Sequence, residues 1–297
     1  MKLLQYLLAF VITASVVSCN KDDNPGGGGT NPTTAQTILN VSYGTDAAQK
    51  MDIYLPANRS TATTKVMILI HGGGWTTGDK NDFSTLQNGV VVTDTMRKRL
   101  PDYAIININY RLSTGTANIF PTQENDVKAA LQFIFSKSAD YVISDKYVLA
   151  GASAGAHLAM LQGFKYTTPV KVKAVISFFG PSDLTDMYNN PAGGNPILSI
   201  ALASAIGVTP AQNAAIYTSS SPINFITSTS PATILLHGSA DPAISPSQSQ
   251  FVNTKMNVLG PTSQYVLYAG KGHGDWPIAT YIDAFDKIQA FLAANVP

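Results

Sequence analysis

A single cysteine, Cys19, occurs in the 297 residues, so no internal disulfide can staple the chain. Charge is scarce as well. Only 12% of residues are charged and the formal net charge is +1, which leaves no basic stripe to neutralise phosphates. Nucleic acid is therefore not an expected partner. No group of His, Cys, Asp and Glu has metal-ligand spacing and no G-x-G-x-x-G follows a strand pattern, so no metal or other cofactor is expected. Repeats of fixed period are absent too. What abounds is apolar side chain, 45% of the total, enough for one large core.

The first 18 residues read as a secretory signal: Lys2 supplies a positive start, an apolar run follows, and small residues precede Cys19. The run is too short to span a bilayer comfortably. Val16-Val17-Ser18-Cys19 resembles the lipobox of bacterial lipoproteins. That resemblance implies acylation of Cys19, membrane attachment through the lipid, and a periplasmic or outer-membrane location. Lys21-Asp22-Asp23 resembles the acidic signal that directs some lipoproteins to the cell surface. Residues 19–37, rich in Gly, Pro and Thr from 26 to 34, are expected to form a flexible tether. A single folded domain is then expected over 38–297.

Within it, residues 66–70, 104–108, 147–150, 172–179, 233–236 and 265–268 form short apolar runs of the kind found in strands buried on both faces. Val127, Ala130, Leu131, Ile134 and Phe135 follow helical spacing, as do Ile282, Phe285, Ile288 and Leu292. This alternation predicts an α/β fold: a mainly parallel central sheet with helices on both faces and ligands outside the carboxyl ends of the strands. Between 183 and 226 the pattern breaks into Asn, Pro, Gly, Ser and Ala, which reads as a small cap insertion over the site.

Chemistry is concentrated in the turns after these strands. Gly151-Ala152-Ser153-Ala154-Gly155 fits G-x-S-x-G between a strand pattern and a helix pattern, the context of a nucleophile held on a sharp turn. His71-Gly72-Gly73-Gly74-Trp75 follows another strand and resembles the HGGG oxyanion motif of lipases and esterases. By that resemblance the amides of Gly73 and Gly74, joined by that of Ala154, would stabilise an oxyanion. A serine needs a base, and in this arrangement the chain order is serine, acid, histidine. Of the four histidines, His71 precedes the serine, His157 lies on the nucleophile helix, and His237 ends a strand just before the acid candidate. His273, flanked by Gly272 and Gly274, is the expected base. Asp241 is the preferred acid, with Asp183 and Asp186 as rivals. Arg111 is expected to pair with a carboxylate such as Asp126. Trp75, Tyr188 and Trp276 are candidate walls of the substrate pocket, together with Phe179.

Taken in order, HGGGW (71–75), NYRL (109–112), GASAGAHLA (151–159), SPI (221–223), HGSAD (237–241) and GKGHG (270–274) make residues 41–297 similar to the α/β-hydrolase esterases related to hormone-sensitive lipase. In motif style the chain most resembles the bifunctional feruloyl and acetyl xylan carbohydrate esterases. Ala152 departs from many lipase relatives, which carry Asp or Glu before the nucleophile. The resemblance implies a serine carboxylesterase acting through an acyl-enzyme on acetyl, feruloyl or short-chain acyl esters, without a cofactor. An amide hydrolase on the same triad, a formamidase or peptidase, and an inactive surface glycan-binding lipoprotein are the rival readings.

Overall fold

The computed structural model describes residues 32–85 and 89–297. The expected signal segment and Cys19 lie outside the described residues. Eight strands form one sheet in the order β1-β2-β4-β3-β5-β6-β7-β8. They are β1 (Gln36–Ser42), β2 (Lys50–Leu55), β3 (Lys65–Ile70), β4 (Tyr103–Ile108), β5 (Tyr147–Ala152), β6 (Ala174–Phe178), β7 (Ala232–Gly238) and β8 (Ser263–Tyr268). From β4 to the β8 edge every pairing is parallel, whereas β1 with β2 and β2 with β4 are antiparallel.

The helices, in chain order, are α1 (Val92–Arg99), α2 (Thr122–Ser136), α3 (Ser138–Tyr141), α4 (Ala154–Lys165), α5 (Leu184–Asn189), α6 (Pro196–Ile206), α7 (Ala214–Ser219), α8 (Ser247–Leu259) and α9 (Ile278–Asn295). Because side chains alternate across a strand, the apolar runs feed two cores. Val66, Ile68, Ile70, Leu149 and Val175 face α2, α4 and α8. Met67, Leu69, Val148, Ala150 and Ile176 face α1 and α9.

The expected α/β fold is thus present, and its six expected strands are β3 to β8. The two antiparallel strands were not evident in the sequence. β1 is an edge with no fully buried residue, and β2 buries Asp52 against Lys80, whose Nζ lies 2.9 Å from the carboxylate. The first strand begins at Gln36, and Arg59 donates through Nη1 to the Thr34 carbonyl at 2.9 Å. The end of the expected tether therefore belongs to the folded body. β8, expected as a strand buried on both faces, has no fully buried residue either, since it closes the other edge of the sheet. The break between 183 and 226 folds into α5, α6 and α7, of which α5 and α6 supply Met187, Leu198 and Leu202 to the lining of the cavity at Ser153.

Candidate active site

Ser153 occupies the turn from β5 into α4 with φ 53° and ψ −121°. A side-chain-bearing residue pays of order 1–3 kcal/mol to stay in such a region, so the surroundings must hold it there. They do so through the backbone: the Ser153 amide donates to the Phe178 carbonyl at 2.9 Å, and the Ser153 carbonyl accepts from the His157 amide at 3.0 Å. Gly155 lets α4 sit this close to β3, because a Cβ there would lie 1.9 Å from the Ile70 carbonyl oxygen.

The loops after β7 and β8 bring the other two residues to the serine. His273 Nε2 stands 3.0 Å from Ser153 Oγ, and His273 Nδ1 stands 2.7 Å from Asp241 Oδ2. With the Nδ1 proton donated to the carboxylate, Nε2 is left to accept from the serine hydroxyl. Asp241 is fixed at both oxygens. Its Oδ1 accepts from the amides of Ala243 and Ile244 at 2.8 and 2.9 Å, while His237 Nε2 also approaches Oδ2 at 3.3 Å. Burial pushes the Asp241 carboxyl up, but the bonds from His237, His273 and the backbone outweigh it and hold the group well below the usual carboxylate range. The rivals are engaged elsewhere. Asp183 caps α5 by accepting from the Asp186 amide at 3.0 Å, and Asp186 accepts from Gln248 Nε2 at 2.8 Å.

Across the serine, the 71–75 turn presents backbone. Gly73 has φ 96° and its carbonyl accepts from the Thr76 and Thr77 amides, which closes the turn. A Cβ on Gly73 would lie 2.2 Å from the Thr77 oxygen. The amides of Gly73 and Gly74 have no protein acceptor among the described residues, and both glycines line the cavity that Ser153 and His273 face. Ala154 is the first residue of α4, where helical amides lack an internal partner. The turn is braced from below: Tyr110 donates to the His71 and Gly72 carbonyls at 3.1 and 3.0 Å and stacks on His71 at 4.2 Å. Arg111 makes the expected pair with Asp126, through Nη2 at 2.7 Å and Nε at 2.9 Å.

The cavity measures about 790 Å³, within the range of small-molecule sites. Of the four expected wall residues Trp75 and Phe179 line it, Trp75 with its indole N–H donated to His157 Nδ1 at 3.3 Å. Tyr188 and Trp276 do not. Tyr188 of α5 packs edge-on against Tyr217 of α7. Trp276 is 1% exposed, wedged among Phe178, Phe179 and Tyr268, and donates to the Gly272 carbonyl at 2.8 Å. It buttresses the His273 loop from behind. Phe179 lines the cavity and touches the His273 ring at 4.6 Å between centroids. The sequence reading missed Phe178, Met187, Leu198, Leu202 and Ile244 as cavity residues. Alternation along β6 from Ile176 could have found Phe178. The others come from separate elements whose meeting point no local pattern encodes.

The sequence profile of the BD-FAE family matches residues 51–256. The probable carboxylic ester hydrolase LipM of Mycobacterium tuberculosis is 27% identical over 91% of this chain and 64% of its own length. The chain is thus shorter than this curated relative. Among solved structures, a truncated carbohydrate esterase from gut microbiota superposes with a TM-score of 0.72 at 25% identity, covering 91% of this chain and 99% of that one. A bifunctional GH43-CE protein of Bacteroides eggerthii superposes at 0.71 with 27% identity, over 86% of this chain and 38% of that one.

Proposed function

The chain belongs to the α/β-hydrolase esterases of the BD-FAE family, and from that premise we propose that it is a serine carboxylesterase working through an acyl-enzyme. The observation that carries the reading is the relay of Ser153, His273 and Asp241, at 3.0 and 2.7 Å, opening on a cavity beside two glycine amides that lack acceptors among the described residues. Ser153 Oγ attacks the ester carbonyl carbon while His273 Nε2 takes its proton, and Asp241 steadies the imidazolium without accepting the proton. The carbonyl oxygen becomes an oxyanion facing the amides of Gly73, Gly74 and Ala154, each such donor being worth roughly 3–4 kcal/mol in the transition state. Collapse breaks the bond to the alcohol, which leaves with the proton from His273. Water, deprotonated by His273, then attacks the acyl carbonyl, and Ser153 departs with that proton. The likeness to the gut-microbiota carbohydrate esterase supports a sugar as the alcohol.

The reading is tested with p-nitrophenyl acetate, acetylated xylan and methyl ferulate, on wild type and Ser153→Ala. Ser153→Ala should cut turnover by about a thousandfold or more, and a fluorophosphonate should add to Ser153 in wild type alone. Absence of both turnover and adduct in folded wild type would refute the esterase, and turnover confined to anilides would make it an amide hydrolase.

A further inference from the structure

One residue of the HGSAD motif, His237, has no part in the chemistry above. It sits near the end of β7, is wholly buried, and does not line the cavity. Its ring lies in the crook of the Asp241 turn. Nε2 is 3.0 Å from the Ile244 carbonyl and 3.3 Å from Asp241 Oδ2, and Nδ1 is 2.7 Å from Ser249 Oγ on α8. Neither a carbonyl nor an ionised carboxylate has a proton to give, so Nε2 carries the proton and Nδ1 takes the serine hydroxyl. The shorter contact of that N–H is with Ile244, and Oδ2 lies beside it, near the positive end of the bond dipole.

The acid has to be held from two directions. Toward the base, its loop is tied to the His273 loop: the Ala240 amide donates to the Lys271 carbonyl at 2.9 Å and the Gly270 amide to Ser239 Oγ at 2.8 Å. Away from the base, Asp241 Oδ1 accepts from the amides of Ala243 and Ile244, and His237 fixes Ile244 by its carbonyl. Both carboxylate oxygens therefore lean on one imidazole, Oδ1 through Ile244 and Oδ2 directly. The other ionisable groups on the elements packed around this chain are Lys271 and Asp275 on the His273 loop, Tyr265 and Tyr268 on β8, and Asp183 and Asp186 at α5, beside Gln248 of α8. Among the described residues none of these side chains is hydrogen-bonded to His237, Asp241 or His273. Tyr265 donates to the Pro246 carbonyl and Tyr268 to Asp283.

We propose that His237 is a positioning residue of the relay, a second buried imidazole that fixes Asp241 from behind and, through its N–H beside Oδ2, limits how strongly the carboxylate holds the His273 imidazolium. The proposal rests on the esterase reading above and adds a residue to its machinery. Without that N–H, Oδ2 turns more of its charge on His273, the protonated base is favoured in the free enzyme, and the acid limb of kcat/KM moves to higher pH. With Ile244 released, Asp241 orients the base less well and kcat falls. Substrate binding is spared, because His237 does not reach the cavity.

The test is the pH profile of p-nitrophenyl acetate hydrolysis, with kcat and KM separated, on wild type, His237→Met, His237→Gln and His237→Asn, and with circular dichroism to establish folding. Methionine fills the space without a donor. A glutamine amide reaches as far as Nε2 and can give its N–H to Ile244 and Asp241, whereas the shorter asparagine amide reaches only as far as Nδ1. His237→Met should move the acid limb up by about half a pH unit and cut the plateau kcat about tenfold, with little change in KM. Glutamine should restore both limb and kcat and asparagine neither, so this pair decides the question if His237→Met does not fold. An acid limb that stays in place in folded His237→Met or His237→Asn, equal losses with glutamine and asparagine, or a loss carried by KM alone would overturn the positioning role and leave the esterase standing. Failure of every variant to fold would overturn it too, making His237 a purely structural residue. No turnover of any ester by wild type would instead remove the esterase reading and this one with it.

Discussion

His157 lies one turn beyond the nucleophile and never reaches solvent. Its Nε2 donates to the Ser220 carbonyl at 2.7 Å and its Nδ1 accepts from Trp75, so both ring nitrogens are used by the neutral form. Burial pushes its pKa down to about 4, the Lys165 charge adding to that and the Ser220 bond opposing it. Since the unfolded histidine titrates near 6.5, the unfolded state binds more protons between these values, and stability is lost as pH falls from about 6.5 to about 4. At about 1.4 kcal/mol per pKa unit this single residue should cost about 3 kcal/mol over that window. Urea unfolding at pH 7 and pH 4 checks it: wild type should lose that amount and His157→Gln markedly less. Equal losses in the two proteins would place the acid sensitivity elsewhere.

Among the elements, the turn from β5 into α4 is the least tolerant of added atoms. Gly155→Ala would drive a methyl group into the Ile70 and His71 carbonyl oxygens, which belong to backbone and cannot swing aside. Forced overpacking of this kind costs about 1–3 kcal/mol, and moving the nucleophile by an ångström can cost about a hundredfold in rate. A thermal melt and a p-nitrophenyl acetate assay on this variant should therefore both fall, the rate more than the stability. An unchanged rate would mean that α4 can retreat without carrying Ser153 along. This turn was legible in the sequence because everything it needs is local: an apolar strand, small residues around a serine, a helix. The same holds for α6, whose Asn195 cap, Pro196 at its start and Gly207 at its end mark both limits. β1 was illegible because it is an exposed edge, and β2 because the buried Asp52 interrupts the apolar run of Met51, Ile53 and Leu55. α8 was missed for a related reason, since its buried set includes Gln248 and Ser249, whose bonds to Ser182 and His237 are set by distant partners. Trp276 shows the limit most clearly. Its proximity to His273 in sequence is real, but only the packing reveals that it supports the loop from behind the cavity.

At the scale of the whole molecule, the catalytic parts hang from strands of unequal security. Gly73 and Ser153 follow β3 and β5, neighbours at the centre of the sheet and almost wholly buried. His273 follows β8, the edge strand without a fully buried residue. Proteins open piecemeal, and the least buried unit opens at the lowest free energy. The base should thus leave the nucleophile while the central strands remain folded. In a urea titration, esterase activity is expected to disappear about 1 M below the midpoint of far-ultraviolet ellipticity, and amides of β8 should exchange with solvent long before those of β3. Coincident midpoints would show that the edge melts only with the whole. If the edge does yield first, mild stress silences the protein reversibly, and a staple between β7 and β8 would widen its working range while leaving the active-site chemistry untouched.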